Sequence, residues 1–168
     1  MIEKKKRKGT RAKGRAFEKR CADILEEYGF HTYTAPPKLG WWKDKDTGEL
    51  KTQSKSQDIF GCIDIIAKSP EVAATFWIQC GERTTMAKKK RDVQEFPAWT
   101  RYDRPMVFIK NPDRTISVFL MDLDLWELTP RWEESGKFDN RRNWIPTPAQ
   151  ANFSWGTRTP KTRKVKND

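Results

Sequence analysis

The sequence predicts an α/β domain in which one helix and one strand precede two strand pairs, with a second helix between the pairs. Three features predict it: an apolar stripe at helical spacing from Phe17 to Tyr28, two pairs of short apolar runs joined by turns, and a Lys-rich helix-forming stretch between those pairs. At 168 residues the chain is long enough for one core and too short for two ordinary domains.

Phe17, Cys21, Ile24, Leu25 and Tyr28 recur at helical steps, and Gly29 supplies the stop signal. Phe30–Ala35 reads as a strand ended by Pro36 and Pro37. From there to Gln57 the composition turns to Lys, Gly, Asp, Thr and Ser around Trp41 and Trp42, which predicts a long loop or a flexible hairpin. Ile59–Lys68 and Ala74–Cys80 follow as strands joined by a turn at Ser69, Pro70 and Glu71, spaced closely enough to pair antiparallel. Glu82–Val93 has helical composition. Met106–Lys110 and Thr115–Met121, joined through Asn111, Pro112 and Asp113, form a second hairpin. Leu123–Trp132 reads as a short helical or irregular piece, and no periodicity is visible beyond Gly136. Residues 1–13 are thus expected to be a basic arm, 14–136 the core domain, and 137–168 a second basic arm.

The net charge of +11 is unevenly placed. Met1–Arg20 has ten Lys/Arg and two Glu, a net +8; Arg141–Asp168 has seven Lys/Arg and one Asp, a net +6; the middle carries −3. Basic ends on a near-neutral core suggest a polyanion partner, because each Lys or Arg on a phosphate releases a counterion. Solubilising tails or a localisation signal are the plainer alternative. No apolar run approaches the length of a membrane span, and the basic N-terminus lacks a following signal-peptide stretch. The expectation is an intracellular protein, not secreted and with no membrane partner.

Cys21, Cys62 and Cys80 are an odd number, each inside an apolar pattern, and fit buried free thiols. With His31 the only histidine and no CxxC, a zinc site is excluded, so any metal must be held by oxygen. In CIDIIAK, alternation puts Cys62, Asp64 and Ile66 on one face, and a carboxylate among isoleucines is costly unless paired. Gln79 on the next strand can stand opposite Asp64, and two oxygen ligands at adjacent strand ends suit Mg²⁺. Water-exposed residues at strand ends are the alternative. Glu18 flanks the helical stripe and can join the same site, or pair with Arg15 or Arg11 as a solvated charge.

Gly14–Phe30 (GRAFEKRCADILEEYGF), Ser56–Lys68 (SQDIFGCIDIIAK) and Phe76–Cys80 (FWIQC) together resemble the core of PD-(D/E)XK nucleases, closest in kind to the archaeal-type Holliday junction resolvases and their viral relatives. The resemblance covers about Gly14 to Lys90. It implies a restriction-endonuclease-like core, a mixed sheet of four to five strands flanked by helices, a homodimer, and Mg²⁺-dependent hydrolysis of DNA phosphodiesters in which Mn²⁺ substitutes. Carried over by position, Glu18 matches the acid of the first helix, Asp64 the metal-binding aspartate, Gln79 the second acid and the Cys80 carbonyl a further metal ligand. Gly81 falls where the motif lysine stands. Gln79 keeps an oxygen but loses a charge, and Gly81 loses the cation that offsets charge on the phosphorane.

Lys88, one helical turn beyond Thr84, is the first candidate to replace that lysine, so Glu18, Asp64, Gln79 and Lys88 form the expected catalytic set. Asp58 is a spare carboxylate at the mouth of the same strand, either supporting the metal or serving an ordinary turn. The expected DNA-contacting residues are Lys4, Lys5, Lys6, Arg7, Lys8, Arg11, Lys13 and Arg15 near the N-terminus, Lys89, Lys90 and Arg91 on the second helix, and the stretch Arg141–Lys166. Trp41, Trp42, Trp144 and Trp155 either stack on unpaired bases or cover the core and a dimer interface. The Val107–Met121 hairpin is expected to be core and dimer interface. These expectations describe a structure-selective endonuclease acting on branched or four-way DNA. A non-catalytic nucleic-acid-binding protein on a decayed nuclease fold, or a restriction or repair nuclease, are the alternatives.

Overall fold

The structure is a computed structural model and describes residues 10–55, 58–122 and 130–161. The N-terminal set Lys4, Lys5, Lys6, Arg7 and Lys8, residues Ser56 and Gln57, most of the piece expected at Leu123–Trp132, and residues 162–168 lie outside the described residues.

Helix α1 (Thr10–Glu27) carries the stripe as expected, with Phe17, Cys21, Ile24, Leu25 and Tyr28 all buried. It ends in a Schellman arrangement: the Gly29 amide donates to Glu26 O at 3.0 Å and the Phe30 amide to Leu25 O at 3.1 Å. Gly29 adopts φ +86°, which a side chain would strain. The cap turns the chain back so that Phe30 joins the same core as Leu25.

The strands are β1 (His31–Thr34), β2 (Lys38–Lys43), β3 (Leu50–Lys55), β4 (Ile65–Lys68), β5 (Thr75–Glu82), β6 (Asp103–Lys110), β7 (Ile116–Asp122), β8 (Arg131–Phe138) and β9 (Trp144–Pro146). Seven of them form one mixed sheet in the order β1-β4-β5-β6-β7-β8-β9, while β2 and β3 pair only with each other. Neighbours are antiparallel except β5 and β6, which run parallel and are connected by a 3₁₀ turn (Arg83–Thr85) and helix α2 (Met86–Gln94). The fold is therefore α/β with a large mixed sheet and few helices. It exceeds the expected four to five strands because β8 and β9 extend the β7 edge.

Strand alternation splits the core in two. Ile65, Ile78, Cys80, Met106 and Phe108 pack against α1, whereas Val107 and Ile109 pack with Val93 of α2. The apolar residues of the β6–β7 hairpin, including Phe108, Ile116 and Val118, are buried inside the single chain. Their burial accounts for the hairpin without a dimer contact. All three cysteines are free and buried. Among the described residues no helix is long and apolar enough to cross a membrane.

The C-terminal segment departs from the expected arm. Phe138 and Trp155 lie in the α1-side core, with Trp144 and Phe153 packed against it. Burying an indole contributes about 4–6 kcal/mol, at about 25 cal/mol per Å² over roughly 150–250 Å². Polar contacts fix the rest: the buried carboxylate of Glu27 accepts from Arg142 and from Arg158 Nε (2.7 Å), and the Thr159 amide donates to Glu27 O at 2.7 Å. Lys161 pairs with Glu26 at 2.6 Å. Through residue 161 these cations therefore fasten the segment to α1, and Trp144 and Trp155 are core residues.

Candidate functional site

The strand expected to begin at Ile59 begins instead at Ile65. Ile59 and Ile63 close a tight turn through reciprocal backbone hydrogen bonds, with Phe60 (φ 54°) and Gly61 (φ 74°) in the left-handed region. The expected alternation therefore fails before Asp64, and Cys62 and the adjacent Ile63 both enter the α2-side cluster. From Asp64 onward the ladder is regular. The Asp64 amide donates to Ile78 O at 2.9 Å, and Ile65 pairs with Ile78. One step further puts Asp64 opposite Gln79, as the sequence suggested.

The Asp64 carboxylate accepts the Cys80 amide at 2.7 Å. Because a strand amide lies in the plane of its sheet, the carboxylate sits at sheet level, beyond the end of β4, where both helices influence it. Burial pushes its pKa up to about 7 against the Cys80 hydrogen bond and the charge of Lys89, and Glu18 and Asp58 push the same way. Glu18 is raised first by burial and then by Asp58, and is lowered by Lys89 and Arg15. Glu18, Asp58 and Asp64 line one cleft of about 460 Å³ together with Arg15, Thr32, Thr34 and Pro37. The cleft thus concentrates negative charge that the protein itself offsets incompletely.

On the other side of the sheet, Gln79 shares a strand face with Trp77. It is 1% exposed, and its Oε1 has no hydrogen-bond partner in the protein. A buried polar atom left unpaired costs about 1–3 kcal/mol. Cys80 is buried on the α1 side, its thiol held well above the ordinary range by its contact with Cys21 and by burial.

Gly81 has a steric explanation. A Cβ there would lie 3.0 Å from Thr85 Oγ1 and 3.1 Å from Lys89 Cγ, so the stem of Lys89 crosses the space a side chain at 81 would need. Lys88, the residue expected to reach back, instead binds Asp92 at 2.6 Å on the exposed face of α2. The helical period decides this. Met86 and Val93 anchor α2 to the core, and Lys89 and Lys90 fall between them at steps of three and four, whereas Lys88 does not. That spacing was readable in the sequence. Lys90 lays its ammonium on the Phe119 ring, 3.7 Å from the centroid, and burial lowers its pKa. It is a packing cation and not the free phosphate contact expected. Arg91 is exposed, and Arg11, Lys13 and Arg15 belong to α1, with Arg11 and Lys13 exposed.

Among the described residues, no three His, Cys, Asp or Glu side chains form a group that could hold a metal ion. The donors present still fit Mg²⁺, which demands oxygen, keeps several waters and is commonly bound by one or two carboxylates plus substrate phosphates. Asp64 and Glu18 supply the carboxylates; Gln79 stands opposite Asp64 in the strand register but is not among the residues that line the cleft. If the ligand set reaches across the ladder to position 79, Gln79→Glu is expected to tighten Mn²⁺ about tenfold through the added negative charge, and in either case to lower the melting temperature without metal. Calorimetric titration and paired melts read both, and unchanged Mn²⁺ affinity removes position 79 from the ligand set.

No protein-family model matches the chain, and neither the curated proteins nor the solved structures compared with it gave a match.

Proposed function

We propose that the protein is a Mg²⁺-dependent DNA endonuclease of the PD-(D/E)XK kind, acting on branched or four-way DNA as a homodimer. The observation that carries this reading is the buried Asp64 carboxylate at the β4–β5 strand end, near enough to Glu18, Asp58 and Lys89 for their charges to act on it. The order α1, β1, β4, β5, α2, β6, with β1-β4-β5-β6 adjacent in the sheet and β5 parallel to β6, supports a restriction-endonuclease-like core. The hairpin β2–β3 is then an insertion, and β7 to β9 an extension.

Hydrolysis adds water across one P–O bond of the backbone, leaving a phosphate on one strand end and a hydroxyl on the other. Mg²⁺, when bound, supplies Lewis-acid polarisation of the scissile phosphate. Asp64 and Glu18 hold that charge in the cleft, and Asp64 must be ionised to do so. Lys89 carries the positive charge that offsets the developing charge on the phosphate oxygens, the role a lysine at position 81 would otherwise fill. A Cβ at position 81 would press against the Lys89 stem, 3.1 Å from its Cγ.

Cleavage of labelled four-way junction, duplex and single-stranded DNA at one salt concentration, with Mg²⁺ or with EDTA, tests the reading. Metal-dependent cutting with preference for the junction supports it; no cutting of any substrate overturns it. Lys89→Ala is expected to lower cleavage about 10²-fold, while Lys88→Ala changes it by less than about twofold. Gly81→Ala is expected to mimic Lys89→Ala in part, since the new methyl group displaces the lysine stem. If Lys88→Ala is the damaging change, the assignment to Lys89 fails.

A second reading has its own observation. Gln79 stands where an acid is usual, and no three-acid group forms among the described residues, as in a fold that retains DNA binding without chemistry. Mn²⁺ titration separates the two, since a decayed site shows no saturable binding that depends on Asp64.

A further inference from the structure

The β2–β3 hairpin stands apart from the main sheet, paired only with itself from Lys38↔Lys55 to Lys43↔Leu50. Its turn is well made: Asp44 accepts the Gly48 amide through its carbonyl at 2.9 Å and the Asp46 amide through its carboxylate at 2.9 Å, and Lys51 pairs with the same carboxylate. A two-stranded hairpin alone is marginal in water.

This one nevertheless leaves large apolar side chains uncovered. Opposed residues share a face, so Leu39, Trp41 and Leu50 lie together on one side, exposed by 67%, 71% and 70%. Trp42 lies on the other side with Lys38 and Lys51, the Lys51 ammonium 5.7 Å from its ring centroid. Residues 38–55 hold five lysines against two aspartates and one glutamate, a net +2. Each face thus presents an indole, and lysines border both.

We propose that this hairpin is a nucleic-acid contact in which Trp41, with Leu39 and Leu50 beside it, packs against unpaired bases while Lys43 on the same face and Lys45 in the turn hold the flanking phosphates. Charge selects this occupant over a second copy of the chain. Two such hairpins face to face would bring ten lysines together against six acids. A strand with splayed bases offers π faces to the indoles and phosphates to the lysines. The proposal deepens the reading of the protein as acting on branched DNA, since a junction exposes unpaired or easily unstacked bases where a duplex does not.

The test measures binding in EDTA, so it does not depend on chemistry. Full-length protein is titrated with oligo-dT, a blunt duplex and a four-way junction, by anisotropy of the labelled DNA and by tryptophan fluorescence. Wild type is expected to show quenched indole emission with oligo-dT and the junction. The double variant Trp41→Ala/Trp42→Ala should weaken both by about tenfold or more and the duplex by less than about threefold. The Trp41→Phe/Trp42→Phe variant should restore most of the binding, and circular dichroism should show the main sheet intact in both. Equal binding of all three DNAs by wild type and the Ala variant overturns the proposal. So does a wild-type dimer that dissociates in the Ala variant with DNA affinity unchanged, which assigns the face to a second copy. Loss of oligo-dT and junction binding in a protein that never cleaves supports the hairpin while removing the nuclease reading, so the two failures are distinguishable.

Discussion

Asp64→Asn is expected to lower Mg²⁺-supported junction cleavage by about three orders of magnitude while leaving the fold intact. The substitution keeps the shape and an oxygen able to accept the Cys80 amide, so the β4–β5 strand end should retain its geometry. It removes only the negative charge, which is what a cation would be bound to. Because the lost group is a buried carboxylate, the variant should melt at the same temperature as wild type or higher at neutral pH without metal. Lost activity with unchanged or raised stability is a signature that a structural role for Asp64 does not produce. Cleavage within about tenfold of wild type would remove Asp64 from the metal-binding role.

The second large effect is the pH dependence of stability. Asp64 is held at about 7 in the folded protein, against about 4 in an unfolded chain. Between those values the folded state keeps a proton that the unfolded chain has released, so the stabilisation is complete below pH 4 and is lost as pH rises towards 7. At full extent this is about 4 kcal/mol, or a fall of about 10 °C in melting temperature for a chain of this size. Glu18, raised for similar reasons, adds in the same direction. Glu26 and Asp139 are held low and act in the opposite sense, their contributions being lost as pH falls below their ordinary carboxylate values.

Melts in EDTA across pH 5–8 should therefore decline for wild type and decline much less for Asp64→Asn, in which only the smaller Glu18 contribution remains. Mn²⁺ or Mg²⁺ should stabilise wild type more at pH 8 than at pH 5, because the cation competes with the proton for the same carboxylate. An equal metal effect at both pH values would place the cation elsewhere. Activity under limiting metal should rise through pH 7 for the same reason.

The features legible in the residues alone are those that rest on local periodicity. The stripe from Phe17 to Tyr28, the Gly29 stop, the β4–β5 and β6–β7 hairpins and the α2 segment were all legible, because each is specified by residues a few positions apart. The opposition of Asp64 and Gln79 followed from the same pairing. Lys89 is legible in principle, since Met86 and Val93 fix the phase of α2, whereas one turn from Thr84 points to Lys88.

The remaining features depend on contacts between distant segments. Arg131–Phe138 carries no clear alternation and becomes a strand because the β7 edge supplies its hydrogen bonds. The Arg- and Lys-rich C-terminal segment looked like a solvated arm, and is held down through residue 161 because Glu27 on α1 offers a buried carboxylate and the core accepts Trp155. The pKa of Asp64 belongs to the same class. Its causes are burial at the strand end and the nearby charges of Glu18 and Asp58, opposed by the Cys80 hydrogen bond and Lys89, groups from separate segments whose meeting no local pattern encodes.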